Sequence, residues 1–148
     1  MITAHTKYLG DLRTLARHIR SGNEIITDAP PDNQGKGEAF SPTDLLATAL
    51  GSCMLTIIGI AAQTHGIDIE GTEVEITKYM LSDPRRVGKV ELDFFFPKEY
   101  SPREQSIIEK SGRTCPVALS LHPDLKQDIR FHYGGRRMDH HNVERIES

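Results

Sequence analysis

Residues 41–63, SPTDLLATALGSCMLTIIGIAAQ, predict one long apolar helix with a defined start, and the other predicted elements flank this helix. Ser41 can cap the helix, Pro42 suits its first turn, and Asp44 can reach back to the cap as in a capping box. Gly66 follows as a terminator. Spacings of three and four predict a buried face made of Leu46, Ala49, Leu50, Cys53, Ile57 and Ile60. Further apolar residues around the helix predict burial on more than one side.

Residues 45–62 of this helix carry no charge, and their number approaches the length that spans a membrane. The stretch also contains Thr48, Gly51, Ser52 and Thr56, and the rest of the chain has the pattern of an ordinary α+β domain. A central helix surrounded by protein produces the same apolar pattern. We therefore expect a protein without a membrane partner.

Short strands flank the long helix on both sides. Turn residues separate three predicted strands before it, at residues 3–8, 12–18 and 24–28, and a loop rich in Pro and Gly covers residues 29–37. After the helix, residues 73–81 and 89–94 predict an antiparallel hairpin. Its inward residues are expected to be Val90, Leu92, Phe94 and Phe96.

The last third of the chain predicts one more helix and one more strand. A second capping box at Ser101 begins a helix that ends near Gly112. A short turn at residues 116–121 precedes a strand at residues 128–133. Together these elements predict a single α+β domain over residues 1–135, followed by a polar tail at residues 136–148.

Composition argues against several classes of function. The chain has 148 residues, a net charge of −3 and no tryptophan, so neither a basic surface nor a base-stacking platform for nucleic acid is expected. Residues 1–7 lack a basic segment followed by an apolar one, so no signal peptide is expected. Two cysteines in such a chain fit the reducing cytoplasm, where a disulfide would be catalytic or regulatory.

The two cysteines, Cys53 and Cys115, occupy different local settings. Cys115 precedes Pro116 at a predicted helix start, where free backbone N–H groups lower the pKa of a thiol. Cys53 lies in the middle of the long helix on an apolar face, where burial raises the pKa of a thiol unless a cation reaches it. Local pattern alone therefore makes Cys115 the more reactive thiol and leaves Cys53 as a small buried hydrophobe.

Three motifs resemble the OsmC/Ohr family of osmotically inducible and organic-hydroperoxide-resistance proteins. They are FSPTDLLATALGSCM at residues 40–54, Cys115-Pro116-Val117, and the loop TDAPPDNQGKGE at residues 27–38. The resemblance covers residues 5–135. It implies an OsmC-like fold in which antiparallel sheets wrap around a long central helix, within an intertwined homodimer.

The resemblance also implies a thiol-dependent peroxidase that needs no metal and no cofactor. Cys53 would be the peroxidatic thiolate, which attacks an organic hydroperoxide and becomes a sulfenic acid. Cys115 would resolve that acid as a disulfide, which an external dithiol then reduces. The apolar setting of Cys53 would suit an organic peroxide in oxidative-stress defence better than hydrogen peroxide.

Activation of Cys53 would need a cation, and the resemblance implies an arginine from the N-terminal strands. Arg13, Arg17 and Arg20 all fall in that region, with Arg13 as the first choice. Arg13 and Arg17 share a strand face if the strand is regular. The resemblance alone leaves the choice among the three open.

One position departs from the family pattern. The family's peroxidases place a glutamate after the Pro of the helix motif, where it orients the arginine, whereas this chain has Thr43 followed by Asp44. Glu38 is the candidate substitute. The departure favours an alternative function, in which an OsmC-like protein senses redox state or binds a small apolar ligand without efficient turnover.

The tail contains Asp139, His140 and His141, which could bind a metal adventitiously. No matching cluster of Cys or His accompanies them, so no metal site is expected.

Overall fold

The computed structural model describes residues 1–135. Contacts divide the chain into two compact units, Met1–Thr48 and Ala49–Ser148. The following paragraphs take each unit by itself. A single domain over residues 1–135 stays a prediction.

The first unit contains a three-stranded antiparallel sheet. Its strands are β1 (Ala4–Gly10), β2 (Arg13–His18) and β3 (Glu24–Asp28), and they lie in the order β1-β2-β3. Residues of β2 pair with β3 without a register shift, from Arg13 opposite Asp28 to Arg17 opposite Glu24. All three predicted strands are confirmed, with ends that differ by at most two residues. A 3₁₀ turn at Pro31–Asn33 interrupts the loop that follows.

This unit has almost no core of its own. Among residues 1–48 the buried residues are Thr27, Asp28, Ser41 and Ala47, of which only one is apolar. Large apolar side chains are instead exposed, namely Tyr8, Leu9, Leu12, Ile19, Ile25, Ile26 and Phe40. A three-stranded sheet needs an apolar face covered before it is stable.

The long helix α1 runs over Pro42–His65. Its predicted capping box is confirmed, because the Asp44 N–H donates to Ser41 Oγ at 3.1 Å and the Ser41 N–H donates to Asp44 Oδ2 at 2.9 Å. The helix ends before Gly66, whose φ of +67° is left-handed and favours glycine.

Among residues 1–135, α1 is the one helix long and apolar enough to cross a membrane, with a mean hydropathy of 2.1 over its most apolar stretch. A third of that stretch is buried in the protein. The length and composition of α1 are the only features that suit a membrane span, and the core helix of a soluble protein has the same two features.

The second unit contains a mixed three-stranded sheet. Strand β4 (Glu73–Leu81) pairs with β5 (Arg86–Phe95) antiparallel, as predicted, and β5 pairs with β6 (Lys126–His132) parallel. The α+β class is thus confirmed, whereas the expectation of purely antiparallel sheets is wrong for β6. The reason is the connection, because residues 96–125 form a long crossover that returns the chain to the same end of the sheet.

Two helices lie on that crossover, α2 (Pro102–Gly112) and α3 (Pro116–Ser120). Helix α2 begins with the predicted capping box at Ser101. Where a turn was predicted, the structure has the five-residue helix α3, with Cys115 at its N-cap position.

The core of the second unit joins α1 to β5. The inward residues predicted for β5 are all buried, and the buried side chains of this unit include Leu50, Met54, Ile58, Ala62, Val90, Leu92, Phe94, Phe96, Ile108 and Cys115. Gly51 allows the close approach, since a Cβ there would lie 2.6 Å from Ile76 Cδ1.

The predicted buried face of α1 is therefore partly wrong. Leu50 is buried, but Cys53 and Ile57 are only half-buried, and Ala49 and Ile60 are exposed. The buried stripe falls instead on Leu50, Met54, Ile58 and Ala62. A helix that is apolar nearly all round does not indicate which side meets the sheet, so packing decides it.

Candidate active site: a thiol pair and an arginine cluster

The fold of the second unit brings the two cysteines together. Cys53 lies in the middle of α1 and Cys115 lies at the start of α3, and the two side chains are near enough for Cys53 to raise the pKa of Cys115. Both are free thiols. Residues that are 62 positions apart in the chain thus form one chemical unit, in which a disulfide can form.

Cys115 is the buried member of the pair, with 0% of its surface exposed. Its Sγ caps α3, because it accepts a hydrogen bond of 3.2 Å from the Ala118 N–H. The predicted contact with free N–H groups is therefore confirmed. The predicted consequence is wrong, because burial raises the pKa of Cys115 by more than the Ala118 N–H lowers it, and the neighbouring Cys53 raises it further.

Cys53 is the accessible member, since it is only half-buried. The local pattern predicts a buried Cys53, whereas the structure has Cys53 half-buried and Cys115 buried. Part of the Cys53 residue is exposed, whereas Cys115 is buried and its raised pKa favours the protonated thiol. The arrangement can therefore perform a two-step oxidation, in which the accessible thiol reacts first and the buried thiol follows.

In the first unit, Arg13 forms a cluster with two carboxylates. Its Nε donates to Asp28 Oδ1 at 2.8 Å and its Nη2 donates to Asp28 Oδ2 at 2.9 Å, which is a bidentate pair. Nη2 also donates to Glu38 Oε2 at 2.9 Å. The side chain of Asp28 is 1% exposed and that of Glu38 is 65% exposed. Asp28 is thus the rigid partner and Glu38 the peripheral one.

The loop after β3 places Glu38 beside Arg13 and Asp28. Gly37 N–H donates to the Ala29 carbonyl at 3.2 Å, and Glu38 N–H donates to Asp28 Oδ2 at 3.1 Å. Gly35 is required by close approach, because a Cβ there would overlap the Ala29 carbonyl oxygen. The loop therefore folds back on the end of β3 and brings its backbone onto Asp28.

The charges of this cluster do not cancel. One guanidinium faces two carboxylates, so the three side chains carry a net charge of −1 when all are ionised. The hydrogen bonds from Arg13 lower the pKa of Asp28, and both carboxylates raise the pKa of Arg13 above its ordinary value. Among residues 1–135, Nη1 of Arg13 donates to no acceptor, so this nitrogen can still donate a hydrogen bond to another group.

The other predicted residues occupy different places. Arg17 lies on the same face of β2 as Arg13, opposite Glu24, as the regular strand predicts. Arg20 follows β2 in the turn. Thr43 Oγ1 lies 3.2 Å from Ser41 Oγ, so Thr43 belongs to the helix start together with Asp44.

Asp28 is the residue that sequence reasoning missed. A signal was present, because a hairpin whose connection runs from residue 18 to residue 23 places residue 28 opposite residue 13. An acid opposite an arginine on one strand pair favours an ion pair.

Among residues 1–135, no group of three or more His, Cys, Asp or Glu side chains could hold a metal ion. Asp139, His140 and His141 lie outside the described residues.

Comparison with known proteins identifies the family. Residues 35–130 match the family described as OsmC-like protein, which is more than half of the chain. A crystal structure of a candidate osmotic-stress-induced and detoxification-response protein from Psychrobacter arcticus 273-4 is 58% identical in sequence, with a TM-score of 0.87. The match covers 89% of this chain and 96% of that one. No curated protein matches the chain.

More distant structures share the fold. An organic hydroperoxide resistance protein OsmC from Legionella pneumophila has 15% identity and a TM-score of 0.71, over 89% of this chain and 98% of that one. An organic hydroperoxide resistance protein from Elizabethkingia anophelis has 16% identity and the same TM-score of 0.71, over 90% of this chain and 98% of that one. At these identities the likeness concerns the fold alone. Taken with the family match and the close relative from Psychrobacter, it leads to one conclusion: the chain belongs to the OsmC-like protein family.

Proposed function

We propose that this protein is a cysteine-based peroxidase that reduces organic hydroperoxides in oxidative-stress defence. The observation that carries the proposal is the proximity of a half-buried Cys53 to a buried Cys115 whose pKa is raised, which favours its protonated thiol. In such a pair Cys53 can attack the peroxide, and Cys115 can then resolve the Cys53 sulfenic acid. Distant relatives of the same fold are named organic hydroperoxide resistance proteins, which supports this substrate class.

The chemistry takes place in two steps. The Cys53 thiolate attacks the distal oxygen of the hydroperoxide, so an S–O bond forms, the O–O bond breaks, and the alkoxide takes a proton from solvent to leave as the alcohol. The Cys115 sulfur then attacks the Cys53 sulfenic acid, so an S–S bond forms and the S–O bond breaks. The hydroxide leaves with the Cys115 proton as water. An external dithiol restores both thiols by exchange.

The first test is thiol mapping after treatment with one equivalent of peroxide. We expect cumene hydroperoxide to form an intramolecular Cys53–Cys115 disulfide, detected by intact mass and peptide mapping, faster than hydrogen peroxide does. Cys53→Ser should abolish peroxide consumption, whereas Cys115→Ser should stop at a sulfenic acid that dimedone traps. Two free thiols after treatment, or normal consumption by Cys53→Ser, would refute the proposal.

We propose Arg13 as the cation that activates the Cys53 thiolate, with Glu38 as a carboxylate that helps to hold Arg13. The test is the pH profile of Cys53 alkylation in Arg13→Gln, Arg17→Gln and Arg20→Gln. Arg13→Gln should move the midpoint upward by about one pH unit, a factor of ten in acid dissociation. A shift confined to Arg17→Gln or Arg20→Gln would assign the role to that residue instead.

A second function has an observation in its favour. Thr43 stands where the family's peroxidases have a glutamate, and Arg13 is already balanced by two carboxylates. A weakly activated Cys53 suits redox sensing or the binding of a small apolar ligand without efficient turnover. Steady-state turnover with a dithiol reductant separates the two functions, because a sensor forms the disulfide once and cycles slowly.

We also propose that the chain works as a homodimer in the cytoplasm. The support for a dimer comes from each unit by itself: the first exposes several large apolar side chains, and α1 exposes Ile60 at 56%. Such surfaces ordinarily mark contacts with another protein. The cytoplasmic assignment rests on the sequence, whose two cysteines fit a reducing compartment.

A further inference from the structure

Helix α3 is too short to hold its own position, although Cys115 is part of it. It has five residues, fewer than an isolated helix needs to be stable in water. Its first turn is closed by Cys115, whose sulfur accepts the Ala118 N–H at 3.2 Å. The carbonyls of so short a helix have few partners within it, so contacts with other elements must fix α3 and the thiol that caps it.

Gln127 supplies such a contact from strand β6. Its Nε2 donates to the Ala118 carbonyl oxygen at 3.0 Å, and this bond joins two different elements. A carbonyl oxygen only accepts, so the amide nitrogen of Gln127, and not its oxygen, faces Ala118. Ala118 is therefore bound on both sides, with its N–H on the Cys115 sulfur and its carbonyl on Gln127.

The place of Gln127 on β6 explains why it makes this bond. Strand residues two apart share a face, so Gln127 lies on the same face as Ile129 and Phe131. That face is the inward one, because Phe131 stacks on the buried Phe94 with ring centroids 5.4 Å apart. A half-buried amide on an apolar face needs a hydrogen-bond partner, and α3 provides it.

A second contact holds the other side of Cys115 to the same strand. The Arg113 guanidinium lies over the Phe131 ring, with Cζ 5.7 Å from the ring centroid. Residues 113 and 118 flank Cys115 in the chain, and both contact the inward face of β6. Arg113 is exposed, whereas Gln127 is half-buried and donates to the residue that binds the Cys115 sulfur. Of the two contacts, the one from Gln127 therefore acts on the sulfur.

We propose that Gln127 is a positioning residue for Cys115: through the Ala118 carbonyl it fixes α3 and so keeps the Cys115 sulfur in one place for the second step. The inference rests on the proposed function for that step, in which Cys115 resolves a sulfenic acid. A nucleophile that is held in position reacts faster than one that moves freely. Loss of the Gln127 bond should therefore slow the second step and leave the first step, the attack by Cys53 on the peroxide, unchanged.

Gln127→Glu removes the donor and keeps the size of the side chain. An ionised carboxylate only accepts, so it cannot bind the Ala118 carbonyl, whereas a protonated carboxyl can donate to it again. We expect hydrogen exchange of the Ala118 N–H at pH 7, measured by NMR and corrected for the intrinsic rate, to become about tenfold faster than in the wild-type protein. At pH 4 the carboxyl takes up a proton, so the difference should shrink to about threefold or less.

Gln105→Glu is the matched control. Gln105 Nε2 also donates to a backbone carbonyl at 3.0 Å, that of Tyr100, but Gln105 lies on α2. The same change of charge and donor there should leave the exchange of the Ala118 N–H unchanged. Equal effects of the two variants on this N–H, or no effect of Gln127→Glu, would overturn the inference. A faster exchange that persists in full at pH 4 would do the same.

A measurement on the unmodified protein guards against variants that do not fold. The Gln127 Nε2 protons donate to a carbonyl, so saturation transfer from water should show that they exchange more slowly than those of Gln63. Gln63 lies at an exposed position of α1. Equal exchange of the two side-chain amides would also overturn the inference.

A kinetic readout separates positioning from general destabilisation. In a single turnover with cumene hydroperoxide, Gln127→Glu should consume peroxide at the wild-type rate. The sulfenic acid that dimedone traps should persist about tenfold longer, because only the second step loses a hydrogen bond. A slower first step, or an unchanged lifetime of the sulfenic acid, would contradict the positioning role.

The exchange measurements involve no peroxide, so they can be distinguished from a failure of the proposed function. A wild-type protein that does not consume cumene hydroperoxide refutes the peroxidase proposal. The Ala118 N–H and the Gln127 amide still decide whether Gln127 fixes α3 and the Cys115 sulfur.

Discussion

At the scale of single residues, Cys115 shows how two influences on one thiol compete. Its place at a helix start brings the Ala118 N–H to the sulfur, which favours a thiolate. Its complete burial opposes ionisation and is the larger influence. Sequence reveals the first influence, because Pro116 marks a helix start, but only the packed structure reveals the second.

Asp28 carries a prediction at the same scale. Arg13 lowers the pKa of Asp28. The Asp28 carboxylate therefore stabilises the fold at pH values above the pKa of an aspartate in the unfolded chain, which is about 4. This stabilisation is lost as the pH falls through the lower folded-state pKa. Asp28→Asn should therefore reduce the free energy of unfolding at pH 7 and should approach the wild-type value in strong acid.

Glu38→Gln is the matched control, because Glu38 binds the same guanidinium from a side chain that is 65% exposed. Glu38→Gln should lose less free energy of unfolding than Asp28→Asn, since exposed ion pairs contribute little to stability. Urea unfolding of both variants at pH 7 and at pH 3 measures the difference. Equal losses of stability in the two variants would contradict the interpretation that the buried Asp28 carboxylate stabilises the fold through Arg13. So would a loss in Asp28→Asn that persists unchanged in acid.

At the scale of elements, the start of α1 is the feature that sequence predicts best. Ser41 and Asp44 exchange two hydrogen bonds within four residues of chain, so their signal is local and tertiary contacts do not alter it. The buried side of α1 was predicted less well, because apolar residues surround the helix and Gly51 is what selects the side that meets Ile76.

Ser41→Ala should lower the free energy of unfolding by about 1 kcal/mol, because the Asp44 N–H loses its acceptor. Ser52→Ala is the matched control: Ser52 lies on an exposed part of α1, and alanine is the better helix former there. Chemical denaturation of the two variants provides the comparison. A loss in Ser52→Ala as large as that in Ser41→Ala would show that the cap is not the cause.

At the scale of the whole molecule, the first unit needs apolar cover that its own buried residues do not supply. The proposed homodimer predicts a mass in sedimentation of about twice the 16.6 kDa of one chain. Ile60→Lys places a charge on the exposed side of α1, so it should raise the dissociation constant of the dimer. Thr77→Lys, at an exposed position on β4, should leave the dissociation constant unchanged. A wild-type protein that sediments as a monomer at micromolar concentration would refute the dimer.

The features whose causes are local could be predicted from the sequence alone. These are the capped helix α1, the second capped helix α2, the alternation that buries Val90, Leu92, Phe94 and Phe96, and the family motifs around Cys53 and Cys115. Each depends on residues within one or two turns or along one strand, so a single stretch of chain contains the whole signal.

The remaining features depend on how distant segments pack in the folded chain. It pairs β6 with β5 in parallel, joins Arg13 to Asp28, brings Cys115 against Cys53, and leaves Cys53 as the more exposed of the two thiols. These outcomes depend on contacts between distant segments and on the balance between burial and hydrogen bonding. That balance exists only once the segments are packed together, which is why the burial of the two thiols and the raised pKa of Cys115 could not be obtained from their local sequence.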